Sequence, residues 1–248
     1  MSTVIFVPGL QGEKALKYAY TSAVGANEAA VIKAARDTES AYQKLSYQSP
    51  AHKNPTLFQM ECQVAAQLDR IAMKAKGSPL ICVGSSVGFG VLIGAISRLQ
   101  NTTSPIALIG FKPVPDPLKA IELQINNPAI VAGIKNGSIP KAPMPVESAE
   151  GLKDTFFLSA KHLNDKRATR MLSDKSGVAR LTNNHAIESA SIIYGTKDHL
   201  TPSAHMSSFA MATNRIFYTD LTALDGTHAT DFTDSLHREV TLAVARLG

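Results

Sequence analysis

The sequence lacks tryptophan, and aromatic residues make up only 6% of its 248 residues. Proteins that hold single-stranded nucleic acid stack its bases on aromatic side chains, so this composition offers little material for such a surface. Basic residues form no dense run either, because the nearest candidate, residues 161–170, is interrupted by Asp165. Such a run is typical of a solvated helix face, and we expect no nucleic-acid partner.

Cysteine is also scarce, since the chain has only Cys62 and Cys82, and their spacing is not typical of a metal site or a redox pair. A chain of this length can bury a sufficient core without a disulfide or a structural metal. The apolar run at residues 3–7 has no basic residue before it, unlike a secretory signal peptide. These features predict a reduced, cytoplasmic setting and no bound metal.

Charged residues are absent from residues 77–97, a stretch long enough to imitate a membrane span. Glycine, serine and proline interrupt this stretch repeatedly, and this pattern favours a buried strand, a tight turn and a buried helix. We therefore expect no membrane span. The composition as a whole, 44% hydrophobic and 18% charged, excludes a disordered chain, a collagen-like chain and a coiled-coil rod.

Short apolar runs alternate with helical patterns along most of the chain. We predict strands at residues 3–7, 42–47, 79–83, 105–111, 190–194 and 215–218, and helices at residues 13–36, 54–76, 88–99, 203–212 and 229–247. In the clearest helix, apolar residues recur at spacings of three and four, with Asn54-Pro55 as its expected start and Gly77 as its stop. Uniformly apolar strands alternating with helices indicate an α/β fold whose parallel sheet is covered on both faces.

The pattern loosens between residues 118 and 186. Helical pieces are expected at residues 118–127 and 163–174, with a proline-spaced stretch at 140–145 between them. We therefore predict a core made of residues 1–117 and 187–248, and a helical cap or lid insertion made of residues 118–186.

The most informative residues are Gly84-Ser85-Ser86-Val87-Gly88, which stand between a predicted strand and a predicted helix. A strand that reverses sharply into a helix strains its central residue, and the flanking residues must be small because the backbone segments nearly collide. Such a turn exposes the Ser86 hydroxyl above a helix N-terminus, which favours negative charge. Ser85 is the competing nucleophile, but a turn centred on Ser85 would place Val83 and Val87 at the two positions that need small residues.

A serine hydroxyl needs a base to become a nucleophile, and the base needs an orienting carboxylate. Asp198 lies in the loop after the strand at 190–194, and His228 lies in the loop after the last predicted strand. Asp116, which follows the strand at 105–111, is the alternative acid. The remaining histidines are expected on the surface, in loops or in the insertion: His52, His162, His185, His199, His205 and His237.

These segments together resemble the α/β-hydrolase superfamily over nearly the whole chain. Residues 4–9 are similar to the strand before the oxyanion loop, residues 84–88 to the nucleophile elbow, residues 195–198 to the acid loop and residues 226–228 to the histidine loop. The order serine, aspartate, histidine is the one expected for this arrangement. Because the first two strands of the family have no counterpart here, the resemblance implies a mostly parallel sheet of about six strands, with helices on both faces and a helical cap.

The resemblance also implies the role of each site residue. Ser86 would be the nucleophile, His228 the general base and acid, and Asp198 the carboxylate that orients His228. The oxyanion hole would use the backbone N–H of Val87 and a second N–H from Leu10 or Gln11. Many family members have His-Gly where this chain has Pro8-Gly9, so both candidates for the second donor stay open.

The implied activity is that of a serine hydrolase that cleaves a carboxylic ester or thioester of a small molecule through an acyl-enzyme, with no cofactor. One alternative is an acyl-CoA or acyl-carrier thioesterase or acyltransferase, because the net charge of +5 would attract a phosphate group. A second alternative is a ligand-binding protein that keeps the three side chains without turnover. The sequence does not select the acyl chain, the leaving group or the oligomeric state.

Overall fold

The computed structural model describes residues 1–9, 23–47, 55–99, 102–115, 127–147, 153–158, 160, 181, 186–228 and 230–248. Six parallel strands form one sheet. In chain order they are β1 (Thr3–Val7), β2 (Ala41–Lys44), β3 (Leu80–Ser85), β4 (Ile106–Phe111), β7 (Ile187–Gly195) and β8 (Tyr218–Leu224), and their order across the sheet is β2-β1-β3-β4-β7-β8. The predicted parallel sheet of about six strands is confirmed.

Helices cover both faces of the sheet. They are α1 (Ala23–Asp37), α2 (Leu57–Ala75), α3 (Val87–Ile96), α4 (Pro128–Asn136), α5 (Ser203–Thr213) and α6 (Thr233–Leu247). Helices α1 and α6 bury their apolar residues against one face, while α2, α3 and α5 bury theirs against the other. Every residue of β3 and β4 is buried, and this explains why these strands are uniformly apolar rather than alternating.

The stretch without charged residues forms β3, a turn and α3, as the sequence predicts. Every residue of α3 is buried. In the part of the chain that the structure describes, no helix combines the length and the apolar character needed to cross a bilayer.

Helix α2 begins at Leu57, and its N-cap lies two residues after the expected Asn54. Its N-cap is Thr56, whose hydroxyl accepts a hydrogen bond from the Gln59 backbone, while the Gln59 side chain accepts one from the Thr56 backbone. This reciprocal pair satisfies two N–H groups of the first turn, which explains why the helix starts there. The predicted stop is confirmed, since Lys76 ends the helix with a φ of 49° and Gly77 follows with a φ of 87°.

Residues 118–186 contain more than the predicted helices. In addition to α4, the described residues form an antiparallel pair of strands, β5 (Ala142–Glu147) and β6 (Lys153–Leu158). The proline-spaced stretch is thus largely strand. Both strands of a two-stranded sheet are edges, so Pro143 and Pro145, which share one side of the strand register, do not interrupt the pairing. The helix predicted at 163–174 and most of that predicted at 118–127 lie outside the described residues, and Asn127 caps α4 instead.

The elements at the C-terminal end are shifted along the chain. The last strand covers Tyr218–Leu224 rather than residues 215–218, because the N–H groups of Ile216 and Phe217 donate to the Thr213 carbonyl and form a turn after α5. Helix α6 begins at Thr233, four residues after its predicted start. The connection after the last strand, at the carboxyl edge of the sheet, is therefore longer than predicted, and its described residues are 225–228 and 230–232.

Candidate active site

The turn between β3 and α3 holds Ser86 in a strained conformation, with φ 53° and ψ −128°. A non-glycine residue seldom adopts a positive φ, and such strain is typical of functional sites. The neighbouring glycines allow the turn to form. A Cβ atom at residue 84 would lie 2.8 Å from the Phe89 nitrogen, and one at residue 88 would lie 2.8 Å from the Pro8 carbonyl carbon.

Strand β4 supports this turn from the side. The Ser86 N–H donates to the Phe111 carbonyl at 2.9 Å, and the Ser86 carbonyl accepts from the N–H groups of Phe89 at 3.2 Å and Val114 at 3.4 Å. Both backbone groups of Ser86 are therefore paired. This pairing holds the strained residue in one place at the carboxyl end of β3.

The structure brings Ser86, His228 and Asp198 together at the carboxyl edge of the sheet. The Nε2 atom of His228 lies 3.2 Å from Ser86 Oγ, and its Nδ1 atom lies 2.7 Å from Asp198 Oδ2. The other carboxylate oxygen, Oδ1, accepts the Leu200 N–H at 2.9 Å. The Asp198 side chain is fully buried, while that of His228 is 28% exposed, so the imidazole is the group that solvent can reach.

Asp198 is held as a carboxylate. Burial by itself would raise its pKa, but the hydrogen bond and charge of His228 and the Leu200 N–H lower it, and the pKa lies below its usual value. An ionised carboxylate accepts a hydrogen bond from the Nδ1–H group of His228. It thereby leaves Nε2 of a neutral imidazole as an acceptor that faces the Ser86 hydroxyl.

Close backbone contacts join the acid loop to the histidine loop. The N–H of Thr196 donates to the Leu224 carbonyl at 2.8 Å, and that of Lys197 donates to the Gly226 carbonyl at 2.9 Å. A Cβ atom at residue 195 would lie 2.8 Å from the Gly226 carbonyl carbon. Gly195 therefore permits the approach that places Asp198 beside His228.

The candidate oxyanion donors are described only in part. Val87 is the first residue of α3, so its N–H belongs to the free N-terminal end of that helix. Leu10 and Gln11 lie outside the described residues. Gly9, just before them, packs against the serine, since a Cβ atom there would lie 3.1 Å from Ser86 Cβ. The adjacent Pro8 carbonyl accepts a hydrogen bond from the buried Tyr47 hydroxyl at 3.1 Å.

The competing residues take other positions. Ser85 is the buried last residue of β3 and is paired in register with Phe111. The imidazole of His237, in α6, lies 2.8 Å from the Asp37 carboxylate at the end of α1. Asp116 lies outside the described residues, as do His52, His162 and His185.

No metal centre is found among the described residues, where no three histidine, cysteine, aspartate or glutamate side chains form a cluster able to hold an ion. Cys82 offers no reactive thiolate near the serine. Cys82 is buried within β3, and burial raises the pKa of its thiol to about 12.

Two side chains at this edge were not singled out from the sequence. They are Tyr47, which contacts Pro8, and Lys112, which follows β4 and reaches the histidine loop. The only signal for Lys112 is a charged residue directly after a uniformly apolar strand. Tyr47 follows Ser46 in a largely polar stretch, which gives no comparable signal.

Comparisons with protein-family models and with curated proteins found no match. Solved structures match over almost the whole chain. A soluble variant of monoglyceride lipase from Saccharomyces cerevisiae, in complex with a substrate analogue, has a TM-score of 0.65 at 14% identity and covers 99% of this chain and 86% of its own. Alpha/beta hydrolase domain-containing protein 10 from mouse has a TM-score of 0.62 at 15% identity, covering 99% and 90%. The carboxylesterase Cest-2923 from Lactobacillus plantarum WCFS1 has a TM-score of 0.60 at 16% identity, covering 99% and 84%.

The sheet, the helices on both of its faces and these matches establish that the chain has the α/β-hydrolase fold. At identities of this size the likeness concerns the fold, since one fold hosts many activities. The activity of this chain therefore depends on the residues of its own site.

Proposed function

We propose that the protein is a serine hydrolase that cleaves a carboxylic ester or thioester of a small molecule through a covalent acyl-enzyme. The observation that carries this proposal is the chain of hydrogen-bond distances from Asp198 through His228 to Ser86, 2.7 Å and then 3.2 Å. The nucleophile, the base and the orienting acid of a triad need this geometry. The strained turn that presents Ser86 supports the same role.

In the proposed reaction, Ser86 Oγ attacks the substrate carbonyl carbon while His228 Nε2 takes the hydroxyl proton. The carbonyl oxygen becomes an oxyanion, and the imidazolium is stabilised by the Asp198 carboxylate. His228 then gives its proton to the leaving alcohol or thiol, and the acyl group stays on Ser86 as an ester. Water attacks that ester with His228 again as the base, and the acid is released as Ser86 regains its proton.

The oxyanion requires N–H donors that are already in place. The Val87 N–H is one candidate, because it begins α3 directly after Ser86. The N–H of Leu10 or Gln11 stays the candidate for the second. Removal of one such donor usually lowers the rate by about 10²–10³.

Two of the solved structures that share the fold are named as a monoglyceride lipase and a carboxylesterase, and both names denote cleavage of esters. They support an ester as the substrate. A reduced, cytoplasmic setting is part of the same proposal, supported by the absence of a disulfide between Cys62 and Cys82, which are both free thiols.

The decisive experiment is covalent labelling with a fluorophosphonate probe, followed by mass spectrometry of the labelled peptide. We expect one label, on Ser86, and Ser86→Ala should remove both the label and up to ~10⁶ of the ester turnover. Ser85→Ala is the matched control, because it removes the neighbouring hydroxyl from a strand position and should keep the label. A folded wild-type protein that takes no label would contradict the proposal.

The alternatives give distinct results in the same assays. Comparison of acyl-CoA with p-nitrophenyl ester turnover separates a thioesterase or acyltransferase from an esterase. A ligand-binding protein would show thermal stabilisation by an acyl compound with negligible turnover.

A further inference from the structure

Lys112 is a buried lysine beside the candidate site, at the end of β4. It is 5% exposed and has a φ of 47°, a second strained residue close to the strained Ser86. Its backbone N–H donates to the Ile193 carbonyl at 2.7 Å, so the backbone is still hydrogen-bonded to β7 at this residue. This conformation turns the chain out of the sheet directly at the edge where the site lies.

The Lys112 ammonium group contacts the histidine loop. Its Nζ atom donates hydrogen bonds to the His228 carbonyl oxygen at 2.9 Å and to the Thr230 carbonyl oxygen. Two aromatic rings complete its surroundings, with Nζ 5.1 Å from the centre of Phe111 and 4.9 Å from the centre of Phe232. One side chain therefore fastens the loop on both sides of residue 229.

This contact has an energetic cost. Burial lowers the pKa of Lys112 to about 8, although the carboxylates of Asp198 and Asp231 act in the opposite direction. A lysine is seldom buried, and an apolar side chain of similar length would fill the space without desolvating a charge. Packing alone therefore does not explain why a charged side chain is buried at this position.

The end of β4 also holds the nucleophile. The Phe111 carbonyl accepts the Ser86 N–H at 2.9 Å, and the next residue, Lys112, binds the loop that carries His228. Two consecutive residues thus connect the two partners of the proposed proton transfer, which are 142 positions apart along the chain. A shift of the histidine loop relative to β4 would change the distance between Nε2 and Oγ.

We propose that Lys112 is a positioning residue that holds the His228 loop so that the imidazole stays between Ser86 and Asp198. This inference rests on the proposed function, because it assigns Lys112 a part in the same reaction. Lys112 acts through His228 and touches no reacting atom. Lys112 therefore affects the chemical step, which depends on the geometry of His228, more than it affects substrate binding.

The test compares Lys112→Met, which keeps much of the length but loses the donors and the charge, with Lys74→Met. Lys74 is the control because it is an exposed lysine in the last turn of α2, outside the acid loop and the histidine loop. Both variants are first shown to be folded by circular dichroism. Ester kcat and KM are then measured, together with the downfield proton resonance of the His228 Nδ1–H group.

We expect Lys112→Met to lower kcat by about tenfold to a hundredfold with little change in KM, as is usual for a misplaced catalytic group. The Nδ1–H resonance should broaden or disappear in this variant, while Lys74→Met keeps wild-type values for all three quantities. Lys112→Gln, whose shorter amide cannot reach both carbonyls, is judged by the same criteria if the methionine variant does not fold.

A folded Lys112 variant with wild-type kcat and a wild-type Nδ1–H resonance would overturn the inference, even if its melting temperature fell. The resonance needs no turnover, so it tests the position of His228 separately from the reaction. An unlabelled wild-type protein that shows a sharp resonance, lost in Lys112→Met, would count against the proposed function and not against the role of Lys112 in holding the loop.

Discussion

Gly88, in the first turn of α3, lies against the Pro8 carbonyl group, so closely that a Cβ atom at residue 88 would be 2.8 Å from the carbonyl carbon. This contact joins the serine turn to the end of β1, where the candidate oxyanion loop begins. It explains in physical terms why the residue two positions after Ser86 is a glycine. The backbone of Pro8 occupies the space, and a backbone cannot rotate away as a flexible side chain can.

Gly88→Ala should therefore destabilise the protein by about 3 kcal/mol or more, or prevent its folding, because overpacking costs about 1–3 kcal/mol and more where only backbone could give way. Gly77→Ala is the comparison. A Cβ atom there meets nothing within 4 Å, but the φ of 87° is strained for alanine, so the loss should be about 1–2 kcal/mol. Urea denaturation measures both, and an equal loss in the two variants would argue against the close contact at residue 88.

Asp198→Asn should lower ester kcat by ~10⁴ with the fold retained, because an amide no longer holds the tautomer that leaves Nε2 free to accept the serine proton. Asp225→Asn is the matched control, since Asp225 lies three residues before His228 but its side chain is 77% exposed. This control should keep nearly full activity. If the loss in Asp198→Asn were small, another carboxylate, such as Asp116, would have to orient the histidine.

Tyr47→Phe should slow turnover without removing the packing of the ring. The lost hydroxyl bonds the Pro8 carbonyl, next to Gly9 and the candidate oxyanion loop, and its removal should cost about 1 kcal/mol of stability. Tyr42→Phe is the control, because Tyr42 lies within the edge strand β2 and its hydroxyl bonds Glu28 of α1. We expect Tyr42→Phe to lose stability alone, whereas Tyr47→Phe also loses kcat. Identical kcat values in the two variants would show that the Pro8 contact does not reach the site.

The lowered pKa of Lys112 predicts a pH dependence of stability. Between about 8 and the ordinary value of 10.5, the unfolded protein binds this proton more tightly than the folded one. The free energy of unfolding should therefore gain a contribution that rises with pH across this window, with a slope of at most about 1.4 kcal/mol per pH unit. Below pH 8 that contribution is absent, and the charged lysine carries its full burial penalty.

Urea denaturation of the wild-type protein and of Lys112→Met between pH 7 and pH 10.5 measures this effect. The groups that face Lys112 are the carboxylates of Asp198 and Asp231, which stay ionised throughout the range. The stability difference between the two proteins should shift in favour of the wild type as the pH rises. Parallel curves would mean that Lys112 keeps its ordinary pKa in the folded protein.

Much of the fold could be predicted because its signals are local. The apolar runs at β1, β3 and β4 indicate buried parallel strands, and the spacing of apolar residues indicates α2. Two elements differ from the prediction or were absent from it. The β5–β6 pair was not predicted, and its free edges tolerate the two prolines. The last strand begins later than predicted because the Thr213 carbonyl accepts the N–H groups of the turn before it.

The candidate site likewise has features that local sequence patterns predict and features that only the folded chain shows. The sequence by itself determined the residue types and their order: a serine between glycines at a strand–helix turn, then an aspartate, then a histidine, each in a loop after a strand. Only the tertiary structure decided that Asp198 lies 2.7 Å from His228 and that Tyr47 and Lys112 support the surrounding loops. The physical reason is that Lys112 and the His228 carbonyl are 116 residues apart along the chain. A contact over that separation forms only when the sheet brings the carboxyl ends of its strands together, and no local sequence pattern records this.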